Sequence, residues 1–275
     1  MAGGITLEGD YSLFTAQVNE DVAVLRFNKD LLLRLADLRV KDQTLGYMDR
    51  LQESENIKVV LLLSSPDKRG RDEYLEVFSR LLTSKLGRDD LLRLFNAVNQ
   101  VILRLVGLNK YVVHATSGRV IMMYLSASLA CDYRVAADNT MYQNPCLEVG
   151  LAPKGGGPFL LARLIGIKAA YDVLLSCYDF SARDALRLGL VHKVAPAADL
   201  EQEALRVARH FAQYPSWTLS GLKRLMGYSL RDLADYLEFE NRELIRIIDG
   251  GSFRKGQAMG LWDLEEEDPR KGSDG

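Results

Sequence analysis

Apolar and polar residues alternate along the first half of the chain in a pattern that predicts buried strands separated by helices. Val59–Leu63 is an uninterrupted apolar run followed by Ser64-Ser65-Pro66-Asp67, which is typical of a strand covered on both faces and closed by a turn. Asn19-Glu20-Asp21 joins two β-prone runs and predicts a hairpin. The predicted strands are Leu13–Val18, Val22–Phe27, Val59–Leu63, Tyr111–Ala115 and Tyr133–Ala136.

Segments with apolar residues at helical spacing lie between these runs and make up most of the last 110 or so residues. The predicted helices are Leu31–Glu53, Asp89–Leu108 with Asp89 or Asp90 as N-cap, one opened by a Ser181–Asp184 capping box and stopped by Gly189, one capped by Asp199, and Ser229–Asp249. Strand–helix–strand alternation predicts a βαβ design with parallel pairing. We expect two units, a core over residues 1–200 and a helical lobe with an acidic tail over 201–275.

Charge and composition exclude several classes of protein. The 275 residues include 35 Lys+Arg against 37 Asp+Glu, a formal net charge of −2, which argues against a strongly basic nucleic-acid binder. The N-terminus lacks the pattern of a secretory signal, and no run approaches the roughly 20 apolar residues of a membrane span. The three cysteines, Cys131, Cys146 and Cys177, form no C-x-x-C pair and are typical of reduced thiols. These features predict a cytoplasmic protein.

An ordered series of short motifs lies between Lys110 and Val194. The series reads Lys110-Tyr111-Val112-Val113-His114-Ala115, Cys131-Asp132-Tyr133-Arg134-Val135-Ala136-Ala137, Asn144-Pro145, Gly150-Leu151-Ala152-Pro153-Lys154-Gly155-Gly156-Gly157, Leu161-Ala162-Arg163-Leu164-Ile165-Gly166, Ser181-Ala182-Arg183-Asp184-Ala185 and Gly189-Leu190-Val191-His192-Lys193-Val194. In order and spacing it resembles the crotonase superfamily, the enoyl-CoA hydratase/isomerase proteins. The resemblance implies an α/β fold, a crotonase-like ββα spiral core with a C-terminal helical trimerisation lobe.

The same resemblance implies chemistry on an acyl-CoA thioester. Two backbone N–H groups would form an oxyanion hole for an enolate, and carboxylates would move protons. No tightly bound cofactor or metal is expected, because coenzyme A enters as part of the substrate. The expected assembly is a homotrimer or a dimer of trimers, without nucleic-acid or membrane partners, and the expected setting is fatty acid metabolism.

Alignment with the family motifs shows two replacements. Ser126 stands where the first hydratase glutamate is expected, and Cys146, after Pro145, stands where the second is expected. The two oxyanion-hole donors map to the N–H groups of Arg69 and Met123. The turn at Arg69 retains only Gly70 and Asp72 of the family pattern, and the turn at Met123 has no glycine. Ordinary enoyl-CoA hydratase activity is therefore not expected.

Three residues are candidates for a replacement catalytic set. Glu148 lies two residues past Cys146, so in a strand both would share a face. Lys154 follows Pro153, where some family isomerases carry an acidic residue. Each candidate has a plainer alternative: an ion-paired carboxylate for Glu148, a loop lysine facing solvent for Lys154 and a small buried thiol for Cys146.

The remaining pocket predictions concern small residues. Ser126, Pro145 and Gly150 are expected to line the substrate pocket. The Gly155-Gly156-Gly157 run before a predicted helix could present N–H groups to an anion or simply allow close packing. The acidic residues from Asp263 to Asp268 argue against nucleotide binding by the tail.

Two functions stay open at this point. The first is an acyl-CoA lyase or isomerase that stabilises an enolate with a non-standard catalytic set. The second is a non-catalytic crotonase-fold paralogue that binds an acyl thioester or serves as an oligomeric scaffold. A hydrolase with Cys146 as nucleophile is a third idea, weakened because no histidine partner is evident by spacing.

Overall fold

The computed structural model describes residues 6–29, 31–35, 37–83, 88–175 and 178–250, with the side chains of 33, 35 and 79–90 excepted. The predictions for Cys177 and for the acidic tail fall outside these ranges. The strands are β1 Gly9–Asp10, β2 Phe14–Asn19, β3 Val22–Phe27, β4 Val59–Leu63, β5 Tyr111–Thr116, β6 Arg119–Ile121, β7 Tyr133–Ala137, β8 Met141–Gln143, β9 Phe180–Ser181 and β10 Lys193–Ala195.

Helices connect these strands and form most of the C-terminal part. They are α1 Leu31–Leu35, α2 Leu38–Glu53, α3 Arg71–Thr83, α4 Arg88–Gly107, α5 Met122–Leu129, α6 Gly157–Leu175, α7 Ala182–Arg187, α8 Leu200–Ala212, α9 Ser216–Gly227 and α10 Leu233–Asp249. Single 3₁₀ turns lie at Ala197–Asp199 and Tyr228–Leu230. Among the described helices, none has the length and apolarity that a membrane span needs.

One sheet with strand order β1-β2-β3-β4-β5-β7-β10 forms the centre of the fold. β2 and β3 pair as the predicted antiparallel hairpin, and β3–β4, β4–β5, β5–β7 and β7–β10 pair in parallel. β6, β8 and β9 form a smaller second sheet. The predicted βαβ alternation with parallel pairing is thus confirmed in an α/β fold whose C-terminal part is helical.

Both faces of the central sheet are buried, which explains why β4 is apolar at every position. On one face Leu61 and Val113 pack against the alanine stripe of α8, which includes Ala204 and Ala208. The opposite face packs on the main core that includes Tyr47. The division of the chain at residue 200 stays a prediction, and α8 packs with the sheet.

Several element boundaries differ from the sequence prediction. α4 begins at Arg88, so Asp89 and Asp90 lie inside its first turn and neither is the N-cap. Asp199 precedes α8 as expected, but its side chain makes no capping hydrogen bond. The last helix starts at Leu233, because the chain first makes the 3₁₀ turn at Tyr228–Leu230. The Ser181–Asp184 capping box is confirmed.

His114 in β5 provides a prediction for stability in acid. Its Nδ1 lies 2.8 Å from Ser128 Oγ, and burial, with the charges of Lys68 and Arg134, lowers its pKa from 6.5 to about 3. Between those two pH values the unfolded chain binds a proton that the folded chain does not. The free energy of unfolding should therefore fall on acidification by up to about 1.4 kcal/mol per pH unit.

Urea unfolding at a series of pH values from 6.5 downwards, the range set by the pKa shift, measures this slope. His114→Gln should flatten it, whereas substitution of the exposed His210 on α8 should leave it unchanged. An identical slope in the wild type and His114→Gln would show that this imidazole does not contribute to acid sensitivity.

Candidate functional site

The start of α5 is the centre of the candidate site. Ile121 occupies the N-cap position with an apolar side chain and makes no capping bond, so no side chain there takes the first-turn N–H groups. The N–H of Met123, the predicted oxyanion donor, belongs to this turn. The Met123 side chain lines a cavity of about 20 Å³. The cavity walls are formed by Leu32, Val77, Phe78, Leu94, Phe95, Val98, Met123 and Lys154.

This cavity is small and almost entirely apolar. Its volume is little more than the roughly 10–15 Å³ that one water needs. An acyl chain can therefore enter only when the surrounding side chains rearrange. The predicted pocket residues Ser126, Pro145 and Gly150 are not among the residues that line it.

The first turn of α3 closes the site from one side through three contacts. Arg71 Nη2 lies 2.6 Å from Glu148 Oε2. The Tyr124 hydroxyl donates to Glu73 Oε1 at 2.9 Å. The Tyr74 hydroxyl neighbours the Cys146 thiol, and each group shifts the pKa of the other. One helical turn thus holds both α5 and the loop that follows β8.

Cys146 lies in that loop as a buried thiol. Burial raises its pKa to about 12, so the sulfur is protonated at neutral pH and does not act as a base in this conformation. Residues 145–150 form turns rather than a strand, so the argument that Cys146 and Glu148 share a strand face was wrong. Both side chains nevertheless point towards α3, because the loop wraps its first turn.

Glu148 is a half-buried, ion-paired carboxylate. Burial raises its pKa, and the guanidinium of Arg71 opposes that change. Glu148 does not line the small apolar cavity. The structure therefore places it at the edge of the candidate site, in contact with the helix that covers that site.

Ser126 is fully buried and tightly packed. Its hydroxyl donates to the Met122 carbonyl at 2.9 Å. A Cβ built on Gly157 would come within 2.7 Å of Ser126 Oγ, which explains why glycine is needed at the start of α6. The position expected to hold the first hydratase glutamate is thus a helix-packing contact.

The glycine run at 155–157 does bind an anion, and the anion comes from the same chain. Glu240 of α10 accepts hydrogen bonds from the N–H groups of Gly155 at 3.0 Å and Gly156 at 2.8 Å. Positive φ angles of 94° and 77° turn these two N–H groups towards the carboxylate. The C-terminal helix is therefore anchored directly on the loop between the candidate site and α6.

Lys154 is buried, so the alternative of a loop lysine facing solvent is wrong. Its ammonium lies 2.6 Å from Glu240 Oε2 and also donates to Asn99 Oδ1. Burial lowers the pKa of Lys154, and Glu240 opposes this. The Glu240 carboxylate thus neutralises the Lys154 ammonium where the lysine side chain reaches the apolar cavity.

The loop that carries Arg69 is held by its neighbour Lys68. The Lys68 ammonium donates to Ser65 O at 2.9 Å and to Ser117 O at 2.7 Å, and burial lowers its pKa to about 7. Arg69 itself points outwards and pairs with Glu76 at 2.7 Å. The loop is thus fixed by a buried amine together with Gly70, whose positive φ of 61° lets the chain turn there.

Sequence reasoning missed Glu73, Tyr74, Tyr124 and Glu240. Glu73 and Tyr74 carry a partial signal, because they follow the predicted oxyanion loop directly and open a helix. No spacing rule connects Glu240 to the glycine run 84 residues earlier, since their contact depends on how α10 folds back.

Comparison with known proteins shows the family to which this chain belongs. The family model for enoyl-CoA hydratase/isomerase matches residues 46–266. The chain belongs to the enoyl-CoA hydratase/isomerase family. Among curated relatives, a trans-2-decenoyl-[acyl-carrier-protein] isomerase of Streptococcus mutans serotype c is 26% identical, over 86% of this chain and 88% of that protein. A crotonyl-CoA hydratase of Syntrophomonas wolfei subsp. wolfei is 27% identical over 74% of each.

Solved structures of this family share the fold. An enoyl-CoA hydratase from Mycobacterium avium subsp. paratuberculosis K-10 matches with a TM-score of 0.74 and 21% identity, covering 92% of this chain and 96% of that one. An enoyl-CoA hydratase/isomerase from Xanthobacter autotrophicus Py2 matches with a TM-score of 0.75 and 20% identity, covering 94% and 100%. The family-model match confirms membership of the crotonase superfamily, and these structures confirm the expected crotonase-like α/β fold.

Proposed function

We propose that this family member is an enoyl-thioester isomerase, which moves a carbon–carbon double bond along an acyl chain through an enolate. The observation that carries the proposal is the pairing of an uncapped α5 N-terminus at Met123 with an apolar cavity. The two positions that would supply hydratase carboxylates hold the packed Ser126 and the protonated Cys146.

The two reactions make different demands on a site. Hydration needs a bound water and carboxylates that activate it and return a proton. A double-bond shift needs an oxyanion donor and one group that takes a proton from the α-carbon and returns one to the γ-carbon. A cavity with apolar walls fits the second set of demands, since it excludes water from the dienolate.

The relatives are consistent with this choice. One of them is named as an isomerase of a decenoyl chain on acyl carrier protein and covers most of this chain. Another is named as a crotonyl-CoA hydratase. An acyl thioester, carried by coenzyme A or by an acyl carrier protein, is thus the substrate class that we propose.

Two spectrophotometric assays test the proposal. The protein should convert trans-3-hexenoyl-CoA to the conjugated 2-enoyl thioester, seen as a rise in ultraviolet absorbance, at an enzyme-like rate of about 1 per second or more. It should not hydrate crotonyl-CoA above background. Fast loss of crotonyl-CoA absorbance, or no reaction with any 3-enoyl thioester, would contradict the proposal.

A second function, a non-catalytic thioester-binding or scaffold protein, is favoured by the closed cavity of about 20 Å³. Binding measurements separate the two functions. A saturated analogue such as hexanoyl-CoA should raise the melting temperature under either, because it binds the folded state. Binding without turnover of 3-enoyl thioesters favours the non-catalytic function, and no binding by any thioester removes both.

The outer faces of α6 and α9 support self-association, and we propose a homotrimer or dimer of trimers. Ile167 and Tyr171 on α6 are 68% and 60% exposed, and Trp217 and Leu225 on α9 are 79% and 76% exposed. Apolar side chains concentrated on a surface in this way are typical of interfaces. The molar mass measured by light scattering tests this assembly.

A further inference from the structure

We propose that Glu73 is the catalytic residue that moves the proton in the double-bond shift, with Tyr124 as its positioning residue. This proposal rests on the proposed isomerase function and deepens it. Glu73 lies outside both positions where the sequence motifs place hydratase carboxylates. Glu73, like Glu148, is not itself among the residues that line the cavity. Its assignment comes from its complete burial and from its hydrogen-bond donors, one of which, Leu32, does line the cavity.

Burial sets Glu73 apart from most other carboxylates. Among the residues whose side chains the structure describes, Glu73 and Glu240 are the buried ones, at 0% and 5% exposed. Glu240 is committed to the Gly155 and Gly156 N–H groups and to Lys154. Glu73 lies elsewhere, in the first turn of α3.

The donors to Glu73 connect it to the cavity walls. Its Oε1 accepts from the Leu32 N–H at 3.2 Å and from the Tyr124 hydroxyl at 2.9 Å. Leu32 itself lines the cavity. Val77, another wall residue, lies one turn after Glu73 on α3, so both side chains share the same face of that helix.

The predicted oxyanion donor lies beside the same group. Met123 lines the cavity, and the next residue is Tyr124, whose hydroxyl binds Glu73. The start of α5 thus supplies an N–H for the thioester oxygen and, one residue later, the hydroxyl that orients the carboxylate.

The proposed step is balanced without a co-reactant. Glu73 takes a proton from C2, and the electron pair of that C–H bond forms a C1–C2 double bond while the carbonyl π pair moves to oxygen. The Met123 N–H stabilises this oxyanion. The oxygen pair then re-forms the carbonyl, C2 and C3 become the double bond, and the pair of the former C3–C4 double bond takes a proton from the Glu73 carboxyl at C4. In turnovers in which this carboxyl proton exchanges with solvent before its return, the product formed in D₂O carries deuterium at C4. No bond to water forms and nothing is oxidised or reduced.

The decisive experiment follows trans-3-hexenoyl-CoA in D₂O by mass spectrometry, recording both double-bond migration and deuterium uptake. Glu73→Gln should lower both rates at least ~100-fold, the scale of a lost general base. The melting-temperature shift caused by hexanoyl-CoA should stay as in the wild type. Asp72→Asn, which changes an exposed carboxylate one residue earlier that pairs with Arg119, is the matched control and should keep full rates.

Tyr124→Phe tests the positioning role. Loss of the hydroxyl should lower kcat about tenfold, a smaller effect than loss of the base itself, and leave KM unchanged, a split that a purely structural role would not produce.

Glu73→Asp decides the question if Glu73→Gln does not fold: the shortened carboxylate should retain measurable but reduced deuterium uptake.

The outcomes separate the two proposals. Full activity in Glu73→Gln, or in Glu73→Asp where only that variant folds, would overturn the assignment of Glu73 while the isomerase function stands. No migration and no deuterium uptake in the wild-type protein would overturn both. Equal loss in Asp72→Asn and Glu73→Gln would also overturn the assignment, because the effect would then not be specific to the buried carboxylate.

Discussion

Replacement of Glu240 by glutamine is expected to lower the melting temperature by about 6 to 20 °C. In a chain of this size, this corresponds to a decrease of about 3–5 kcal/mol in the free energy of unfolding. Glu240 and Lys154 are each 5% exposed, and their charged atoms lie 2.6 Å apart. Removal of the carboxylate leaves the ammonium buried without a counter-charge. The Gly155 and Gly156 N–H groups also lose a charged acceptor.

Thermal unfolding of three further variants makes this test specific. Glu243→Gln, one turn along α10 and paired with Arg246 nearer the surface, should change the melting temperature little. Lys154→Met alone should be destabilising, because it leaves the Glu240 carboxylate buried. The double variant should recover much of the loss, since neither charge remains. Additive losses in the double variant would show that the pair is not coupled.

Ser126→Glu places a carboxyl at the position where the family motifs predict the first hydratase glutamate. We expect this variant to be less stable by about 2–6 kcal/mol, because the site becomes overpacked and an unpaired carboxyl is buried. We do not expect it to be a hydratase. Ser126 is fully buried, and its Oγ already fills the space beside Gly157. The added atoms must therefore displace the start of α6. Urea unfolding measures the loss, which should be smaller in acid, where the carboxyl is neutral.

Ser126→Ala is the control for this variant, since it removes the hydroxyl and adds nothing to the packed space. It should lose about 1 kcal/mol, the worth of one hydrogen bond to the Met122 carbonyl. A stable Ser126→Glu protein that hydrates crotonyl-CoA would contradict the view that position 126 is a packing contact. It would also weaken the case for isomerisation.

Five of the ten described strands, and their parallel pairing, were predicted from local patterns, whereas the order of the strands in the sheet was not. A short apolar run such as β4, closed by a turn cluster, favours a strand covered on both faces, and Asn19-Glu20-Asp21 favours a turn between two β-prone runs. The capping box at Ser181 is equally local. Helix starts were predicted less well, because Asp89 lies inside α4 and Asp199 stands at the N-cap of α8 without a capping hydrogen bond.

For the candidate site, too, the sequence and the tertiary structure provide different information. From the family motifs we expected Ser126 and Cys146 at the positions of the hydratase glutamates, and the sequence itself shows the glycine run before α6. The fold alone decided what surrounds each position: Lys154 is neutralised by Glu240, Cys146 lies beside Tyr74, and the glycine run receives a carboxylate from α10. These contacts join segments far apart in sequence, so no spacing pattern contains them.

Glu73 shows the difference most clearly. In the sequence it is one acidic residue among several in the first turn of a helix, and nothing distinguishes it from Asp72. In the structure Asp72 faces solvent while Glu73 is buried between Leu32 and Tyr124. The sequence determined the family, because membership depends on residue identity. Only the tertiary structure decided which carboxylate is buried and bonded to a residue of the cavity wall, because burial depends on how α1, α3 and α5 pack together.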